Sequence, residues 1–152
     1  NVYAEELLCV ALARKHGVPG RWTEERSAAS MATIHGRAQI QDIELAADEH
    51  GQLTGMRVRL IGDIGGYLQL VAPGVPLLGA FLYHGSYDVP LDSVTCTGVF
   101  TNKTPTAAFR GAGRPEATYA IERARDELAA TVGVTPEEIR SRNFIPAYAC
   151  PY

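Results

Sequence analysis

Two long stretches of the chain carry apolar residues at helical spacing. The first stripe, within residues 4–15, consists of Leu7, Leu8, Ala11 and Leu12. The second, within residues 115–132, consists of Ala117, Ile121, Ala124, Leu128 and Val132. This spacing is typical of helices that bury one face. Gly17 and Gly133 stand where each pattern ends, as glycines do after helices. The pattern therefore predicts helices over 4–15 and 115–132.

Other stretches have the patterns of β-strands. Apolar and polar residues alternate over 43–47 and 56–60, and the turn residues 48–51 lie between them. Residues 94–102 are rich in Thr and Val, which favours a strand. Residues 21–25 are also predicted as a strand, followed by a link over 27–32. Because the hairpin has one apolar and one charged face, we expect an antiparallel sheet that is covered on one side.

Two shorter helices complete the predicted organisation. A segment rich in Pro and Gly allows one short helix near 78–84, and Thr135-Pro-Glu-Glu138 is a capping box that begins a final helix. The fold class predicted is α+β, with an antiparallel sheet and helices packed on one face. We expect residues 1–152 to form a single compact unit. The apolar, Pro-containing segment 143–152 is unlike a natural terminus and indicates a piece of a longer polypeptide.

Composition and charge exclude several classes of protein. The 152 residues contain 17 acidic and 14 basic side chains, so no excess of positive charge favours a nucleic-acid partner. The longest apolar stretch, 68–82, is interrupted by Pro and Gly, and predicts no membrane span. Three widely separated cysteines, Cys9, Cys96 and Cys150, form no CxxC pair. They indicate buried free thiols in a reducing cytoplasm.

The segment 108–116, Ala-Phe-Arg-Gly-Ala-Gly-Arg-Pro-Glu, is the strongest candidate site. Gly111 and Gly113 would let the backbone approach a ligand, and the segment leads into a helix whose first-turn N–H groups are free. Arg110 and Arg114 add donors for a planar or anionic group. The alternative, a tight strand-to-helix turn with solvated arginines, is slightly favoured on spacing alone. Neither a Walker loop nor a dinucleotide fingerprint fits this spacing.

No complete active site is present among the remaining polar residues. The histidines, which never stand at ligand spacing, are His16, His35, His50 and His84. We interpret His16 as a helix cap and His50 as a turn residue. The segment 33–37 would place His35 and Arg37 near a site on one interpretation, and the alternative, surface turn residues, is favoured. The acidic pairs 24–25 and 137–138 are interpreted as solvated or helix-start carboxylates. Ser27 and Ser30 have no convincing catalytic partner.

Five segments, in this order along the chain, carry a resemblance to a known family. They are 21–26 (RWTEER), 35–37 (HGR), 55–66 (beginning GMRVRLIGD), 109–117 (FRGAGRPEA) and 139–145 (IRSRNFI). With these segments the chain resembles the molybdenum-cofactor-binding large subunit of the xanthine dehydrogenase, aldehyde oxidase and aerobic carbon monoxide dehydrogenase family. The resemblance extends over essentially all 152 residues, and its Phe-Arg-Gly-x-Gly core is the most specific part.

The resemblance implies a molybdenum hydroxylase. A molybdenum–pterin cofactor, expected as molybdopterin cytosine dinucleotide, would add water-derived oxygen to an aldehyde, an N-heterocycle or a similar small substrate. Electrons would pass to iron–sulfur and FAD subunits or domains. The implied partners also include the remainder of the large subunit, and a dimer is compatible with the family. The glycine-rich GGxFG-type segment and the glutamate base of the family lie outside this chain. We therefore expect the fragment to bind no cofactor and to be inactive on its own.

The resemblance also assigns roles within 109–114. It implies cofactor binding by Phe109, Arg110 and Gly111, a substrate-pocket position for Ala112, and a supporting role for Gly113 and Arg114. It places no catalytic residue and no metal ligand in this fragment. An aromatic residue stands at the Ala112 position in the purine-oxidising branch. The copper-binding cysteine of carbon monoxide dehydrogenases corresponds to Gly111. Two alternatives remain: a stand-alone module that binds a small anion, and a structural module without catalysis.

Overall fold

The computed structural model describes residues 3–147 and Ala149, and its contacts divide the chain into two units, residues 1–34 and 35–152. The expectation that the whole chain is a single compact unit stays a prediction. The elements are, in order, α1 (Ala4–His16), α2 (Arg26–Ala32), β1 (Gln39–Ala47), β2 (Leu53–Gly65), α3 (Gly74–Ala80), β3 (Asp92–Phe100), α4 (Arg114–Val132) and α5 (Pro136–Asn143). None of the helices in the described residues is long and apolar enough to cross a membrane.

The first unit contains α1 and α2. Acidic residues in the first turn of α1 and basic residues in its last turn suit the helix dipole. Gly17 ends α1 in the left-handed region (φ 68°), and its N–H donates to the Ala13 carbonyl oxygen. The predicted first helix is confirmed. Its apolar stripe is not buried, however: Leu7 is 63% exposed, and neither helix of this unit contains a buried residue.

Two predictions for residues 21–32 are wrong. Residues 21–25 form no strand, and the predicted link contains α2. A strand exists only where a neighbour completes its hydrogen bonds, and residues 21–25 pair with no strand among the described residues. The helix α2 is closed by local bonds instead: the Ser30 hydroxyl donates to the Arg26 carbonyl oxygen, and the Thr33 hydroxyl to that of Ala29.

The second unit contains a three-stranded sheet in the order β1-β2-β3. The α+β class is confirmed, and so is the antiparallel hairpin of β1 and β2, in which Ile43 lies opposite Val58. The expectation of a wholly antiparallel sheet is wrong, because β3 runs parallel to β2, with Val94 opposite Val58. The connection 66–91, which includes α3, is long enough for the crossover that a parallel pair requires.

The helices α3 and α4 pack on one face of this sheet, as predicted. Val58 in β2 is buried together with Ala117 and Ile121 of α4, and a Cβ on Gly62 would lie 2.9 Å from the Pro76 ring of α3. The short helix α3 begins four residues earlier than the predicted 78–84. In α5, the Thr135 side chain caps the helix by accepting from the Glu138 N–H, which confirms the predicted start.

The buried side of α4 includes a residue that the apolar pattern missed. Arg125 is 1% exposed. Its guanidinium carbon lies 3.5 Å from the centroid of the Tyr87 ring, and its Nη1 donates to the Ile121 carbonyl oxygen. The aromatic face and the carbonyl oxygen offset part of the cost of burying this charge. Nε and Nη2 of Arg125 are buried with no hydrogen-bond partner among the described residues. The stripe therefore continues from Ile121 to Arg125 and Ala129, whereas Leu128 is half-buried.

Candidate functional site

A tight turn joins residues 108–113 to the beginning of α4. Three consecutive residues have positive φ: Gly111 (97°), Ala112 (37°) and Gly113 (90°). The turn is closed by backbone bonds from the Ala112 N–H to the Phe109 oxygen (2.9 Å) and from the Arg114 N–H to the Gly111 oxygen (3.1 Å). All six site residues predicted from the sequence, 109–114, therefore lie in one turn before and at the start of α4.

The chain's own packing requires the two glycines of this turn. A Cβ on Gly113 would lie 2.4 Å from the Val75 carbonyl oxygen and 2.5 Å from the Gly79 nitrogen, both backbone atoms of α3. A Cβ on Gly111 would lie 2.9 Å from the Pro115 ring. Positive φ adds a second reason for glycine at each position. The glycines are thus explained without a ligand, as the tight-turn alternative expects.

Arg37 links the beginning of the sheet to this turn. Its Nη1 donates to Glu116 Oε2 (3.0 Å), and its Nη2 donates to the Arg110 carbonyl oxygen (2.6 Å). Its guanidinium carbon lies 5.4 Å from the centroid of the Phe109 ring, within the range of a cation–π contact. Arg37 is exposed, as the favoured interpretation of a surface residue expects, and its three contacts place it against the candidate turn, as the alternative expects.

The neighbouring His35 brings Arg37 to the turn through the backbone. The His35 N–H donates to the Pro105 oxygen, and the Ala107 N–H donates to the His35 oxygen. These bonds align His35 beside Thr106 as an isolated parallel bridge. The only signal for this arrangement in the sequence was the His-Gly-Arg segment, which belongs to the motifs that carry the family resemblance.

Glu116 is a site residue that sequence reasoning missed. Its side chain is 7% exposed, and it occupies the third position of α4, where the helix dipole favours a carboxylate. Oε2 accepts from Arg37, while Oε1 is buried and has no hydrogen-bond partner among the described residues. Arg37 and Glu116 both line a groove of about 520 Å³ between β1 and α4. Gln41 lines the same groove, and its Oε1 is also buried with no partner in the described part of the chain.

Unpaired donors lie on the exposed part of the turn. Phe109 is 69% exposed, and Arg110 is also exposed. Among the described residues, neither the Arg110 guanidinium nor the Gly111 N–H has a hydrogen-bond partner. Arg114 makes one long bond of 3.4 Å to the Gly111 oxygen. This set of donors suits a ligand with several acceptor atoms or negative charge.

The remaining candidates do not join this site. His50 lies in the β1–β2 turn, where its N–H donates to the Asp48 carboxylate, as a turn residue should. Cys9 and Cys96 are free thiols, but both are only partly buried, so the expected full burial is wrong for these two. Partial burial raises the pKa of the Cys96 thiol. Cys150 lies outside the described residues. Within residues 3–147 and Ala149, no three His, Cys, Asp or Glu side chains gather in a way that could hold a metal ion.

Residues 1–144 match the family model described as the molybdopterin cofactor-binding domain. The chain is 37% identical over 152 residues to the 6-hydroxypseudooxynicotine dehydrogenase complex subunit gamma of Paenarthrobacter nicotinovorans, which covers 100% of this chain and 19% of that protein. It is 37% identical over 139 residues to the carbon monoxide dehydrogenase large chain of Hydrogenophaga pseudoflava, covering 90% of this chain and 17% of that protein.

A solved structure agrees with these sequence matches. Quinoline 2-oxidoreductase from Pseudomonas putida 86 superimposes with a TM-score of 0.88 at 33% identity, over 99% of this chain and 20% of that one. The chain thus spans about a fifth of the length of these relatives. The family match includes Arg37, the turn 108–113 and the helices α3 and α4. The chain therefore belongs to the molybdopterin cofactor-binding domain family of molybdenum hydroxylase large subunits.

Proposed function

We propose that this chain is the part of a molybdenum hydroxylase large subunit that holds residues 109–114 against a molybdenum–pterin cofactor. The observation that carries the proposal is that two donors, the Arg110 guanidinium and the Gly111 N–H, have no partner in the described part of a chain of this family. A pterin with its phosphate offers ring and phosphate acceptors, so the chemistry of the donors fits the group. Phe109, Arg110 and Gly111 would contact the cofactor, and Gly113 and Arg114 would support the turn.

The bound cofactor would supply the oxidation of an electron-poor carbon with water-derived oxygen. The residues of this chain would bind and orient it. Arg110 would donate charge-assisted hydrogen bonds, the Gly111 N–H would donate a neutral one, and the exposed Phe109 ring would cover an apolar part of the site. Electrons would leave to iron–sulfur and FAD partners, and the rest of the large subunit would complete the site. The dinucleotide form of the cofactor and a cytoplasmic location belong to the same proposal.

The proposed substrate is an aldehyde, an N-heterocycle or a similar small molecule. Ala112 places only a methyl group beside the cofactor-facing residues, which leaves room for a small ring but offers no aromatic face for stacking. Relatives of the chain include proteins named for nicotine 6-hydroxylation and for quinoline 2-oxidation, both of which concern N-heterocycles. These names support the heterocycle class more directly than the aldehyde class.

We further propose that the enzyme does not oxidise carbon monoxide at a copper–molybdenum pair. Copper(I) requires a soft thiolate ligand, and Gly111 stands where the resemblance places the cysteine. Burial raises the pKa of Cys96 and so opposes its thiolate form. Copper analysis of the complete, cofactor-loaded enzyme should find no stoichiometric copper. Stoichiometric copper together with rapid carbon monoxide turnover would contradict this proposal.

The substitution Arg110→Ala in the complete enzyme tests the cofactor role. A hydrogen bond with a charged partner contributes about 1.5–3 kcal/mol, so we expect at least a tenfold loss of cofactor affinity. Molybdenum and pterin content, measured after purification and after dialysis, should fall. Arg57→Ala is the matched control, because Arg57 is an exposed arginine in β2 whose guanidinium pairs with Glu44 on the neighbouring strand.

Two results would separate this proposal from its alternatives. Unchanged molybdenum content together with unchanged turnover in Arg110→Ala would refute the cofactor role of Arg110. An open reading frame that starts just before residue 1 and stops just after residue 152 would favour the stand-alone anion-binding or structural module. A frame of several hundred residues, with a glycine-rich segment before residue 1, is the expected result.

A further inference from the structure

Arg37 adopts a backbone conformation that its residue type disfavours. Its φ is 66°, and Ala112 is the only other non-glycine residue in the described part of the chain with positive φ. Side chains with a Cβ are strained in this region, and such strain persists only where surrounding contacts over-determine it. For Arg37 the backbone bonds of the adjacent His35 and the three contacts of its guanidinium provide that constraint.

The contacts of Arg37 act on three different parts of the turn. One guanidinium nitrogen holds the Glu116 carboxylate at the start of α4, and the other holds the Arg110 carbonyl oxygen. The face of the guanidinium lies against the exposed Phe109 ring. Only a planar side chain with several fixed donors can make these contacts together. Arg37 therefore connects the beginning of α4 to the residues that precede it in the turn.

The bond to the Arg110 oxygen also determines where the next N–H points. Arg110 C=O and Gly111 N–H belong to one peptide unit, and in a trans peptide these two groups point in opposite directions. The carbonyl points at Arg37 over 2.6 Å, so the Gly111 N–H points away from Arg37. Among the described residues this N–H has no partner. The consequence is an oriented, unpaired donor on the side of the turn opposite Arg37.

We propose that Arg37 is a positioning residue that orients the Arg110–Gly111 peptide so that the Gly111 N–H faces the cofactor. This inference rests on the proposed function, because it assumes that the cofactor occupies the open side of the turn. Arg37 does not touch the cofactor in this arrangement. It acts through the carbonyl that it holds and through the carboxylate of Glu116, which keeps its guanidinium in place.

Hydrogen exchange at the Gly111 amide tests the inference in the complete large subunit. Exchange is measured with residue resolution by mass spectrometry, on loaded and cofactor-free protein. Loaded wild-type protein should exchange this amide at least tenfold more slowly than cofactor-free protein, because the N–H donates to the cofactor. In Arg37→Gly, which tolerates the positive φ, this difference should fall to less than threefold, although the fold remains.

A second variant and a control show whether a loss of Gly111 protection reflects the position of the peptide or a defect in folding. Arg37→Lys keeps a cation beside Glu116 but lacks the fork that also reaches the Arg110 oxygen, so the same loss of Gly111 protection is expected. Arg57→Gln, which lies on the exposed face of β2, should retain the wild-type difference. The midpoint temperature of thermal unfolding is measured for both Arg37 variants alongside the exchange rates. A purely structural role of Arg37 would change this temperature but would leave the difference in exchange between loaded and cofactor-free protein unchanged.

The outcomes distinguish the inference from the proposed function. If loading slows the Gly111 amide in wild type and in both Arg37 variants alike, the positioning role is overturned and the cofactor site stands. If loading does not slow this amide even in wild type, the placement of the cofactor against Gly111 is overturned, and the inference falls with it. If loading slows the Gly111 amide in wild type and in Arg57→Gln but not in the two Arg37 variants, the result supports both the positioning role and the cofactor site.

Discussion

The helices α1 and α4 have similar sequence patterns and very different surroundings. Each carries an apolar stripe, and each ends at a glycine with positive φ whose N–H bonds back into the helix. Five residues of α4 are buried, whereas none of α1 is. The comparison teaches that an apolar stripe predicts a helix and the face it would bury. Whether that face is buried depends on the partners that the rest of the polypeptide supplies.

The largest expected difference between the two regions comes from their glycines. Gly113→Ala should destabilise the chain by about 2–6 kcal/mol, the sum of typical overpacking and strained-φ costs, because the new Cβ meets the backbone of α3. Gly17→Ala has a similar φ but no atom within 4 Å of the new Cβ, so it should cost only about 1 kcal/mol. Urea unfolding of both variants checks this. Equal losses would contradict the role assigned to α3.

Leucine truncation should show the same contrast. Leu60 is 1% exposed, and Leu60→Ala should lower the free energy of unfolding by about 2–5 kcal/mol, as buried leucines do. Leu7→Ala, at a residue that is 63% exposed, should change it by less than about 0.5 kcal/mol. Denaturant unfolding measures both values on this chain. If Leu7→Ala proves as costly in a longer polypeptide as Leu60→Ala is here, the stripe of α1 is covered there.

Replacement of one tyrosine in each unit by phenylalanine should give the smallest difference in the free energy of unfolding. Here the substitution at the buried residue should stabilise the chain instead of destabilising it. The Tyr83 hydroxyl is buried and has no hydrogen-bond partner among residues 3–147 and Ala149, and burial raises the pKa of Tyr83 to about 12. Tyr83→Phe removes this unpaired group and should stabilise the chain by about 1 kcal/mol at pH 7. Tyr3→Phe, at an exposed residue of the first unit, should have little effect.

The pH dependence provides a further check on Tyr83. A folded-state pKa above the ordinary value of about 10 means that folding favours the neutral phenol. The contribution of this pKa difference to the free energy of unfolding is fully present below pH 10 and is lost as the pH rises towards 12. Tyr83→Phe should therefore lose less stability than wild type between pH 10 and pH 12 in unfolding experiments. An identical decline in both proteins would show that Tyr83 is not responsible.

Most of the local structure of this chain could be predicted from its sequence. The helices α1, α4 and α5, the β1–β2 hairpin and the turn before α4 were all predicted within a few residues. Their signals act over short distances: side-chain caps such as Thr135, terminal glycines, and periods of two or 3.6 residues. Arg125 broke the apolar pattern of α4, because this arginine is buried against the ring of Tyr87, which lies in a distant loop.

Short-range patterns were therefore enough to predict the helices α1, α4 and α5, the hairpin and the tight turn before α4, because local backbone geometry specifies them. The roles of residues 109–114 came from the family resemblance and stay predictions. Only the tertiary structure decided the parallel direction of β3, the irregular course of residues 21–25 and the connection of Arg37 to the turn. Arg37 is separated from Arg110 by 73 positions and from Glu116 by 79. No local pattern in the sequence predicts contacts between residues that are so far apart along the chain. These contacts form because the His35–Thr106 bridge brings two distant segments together.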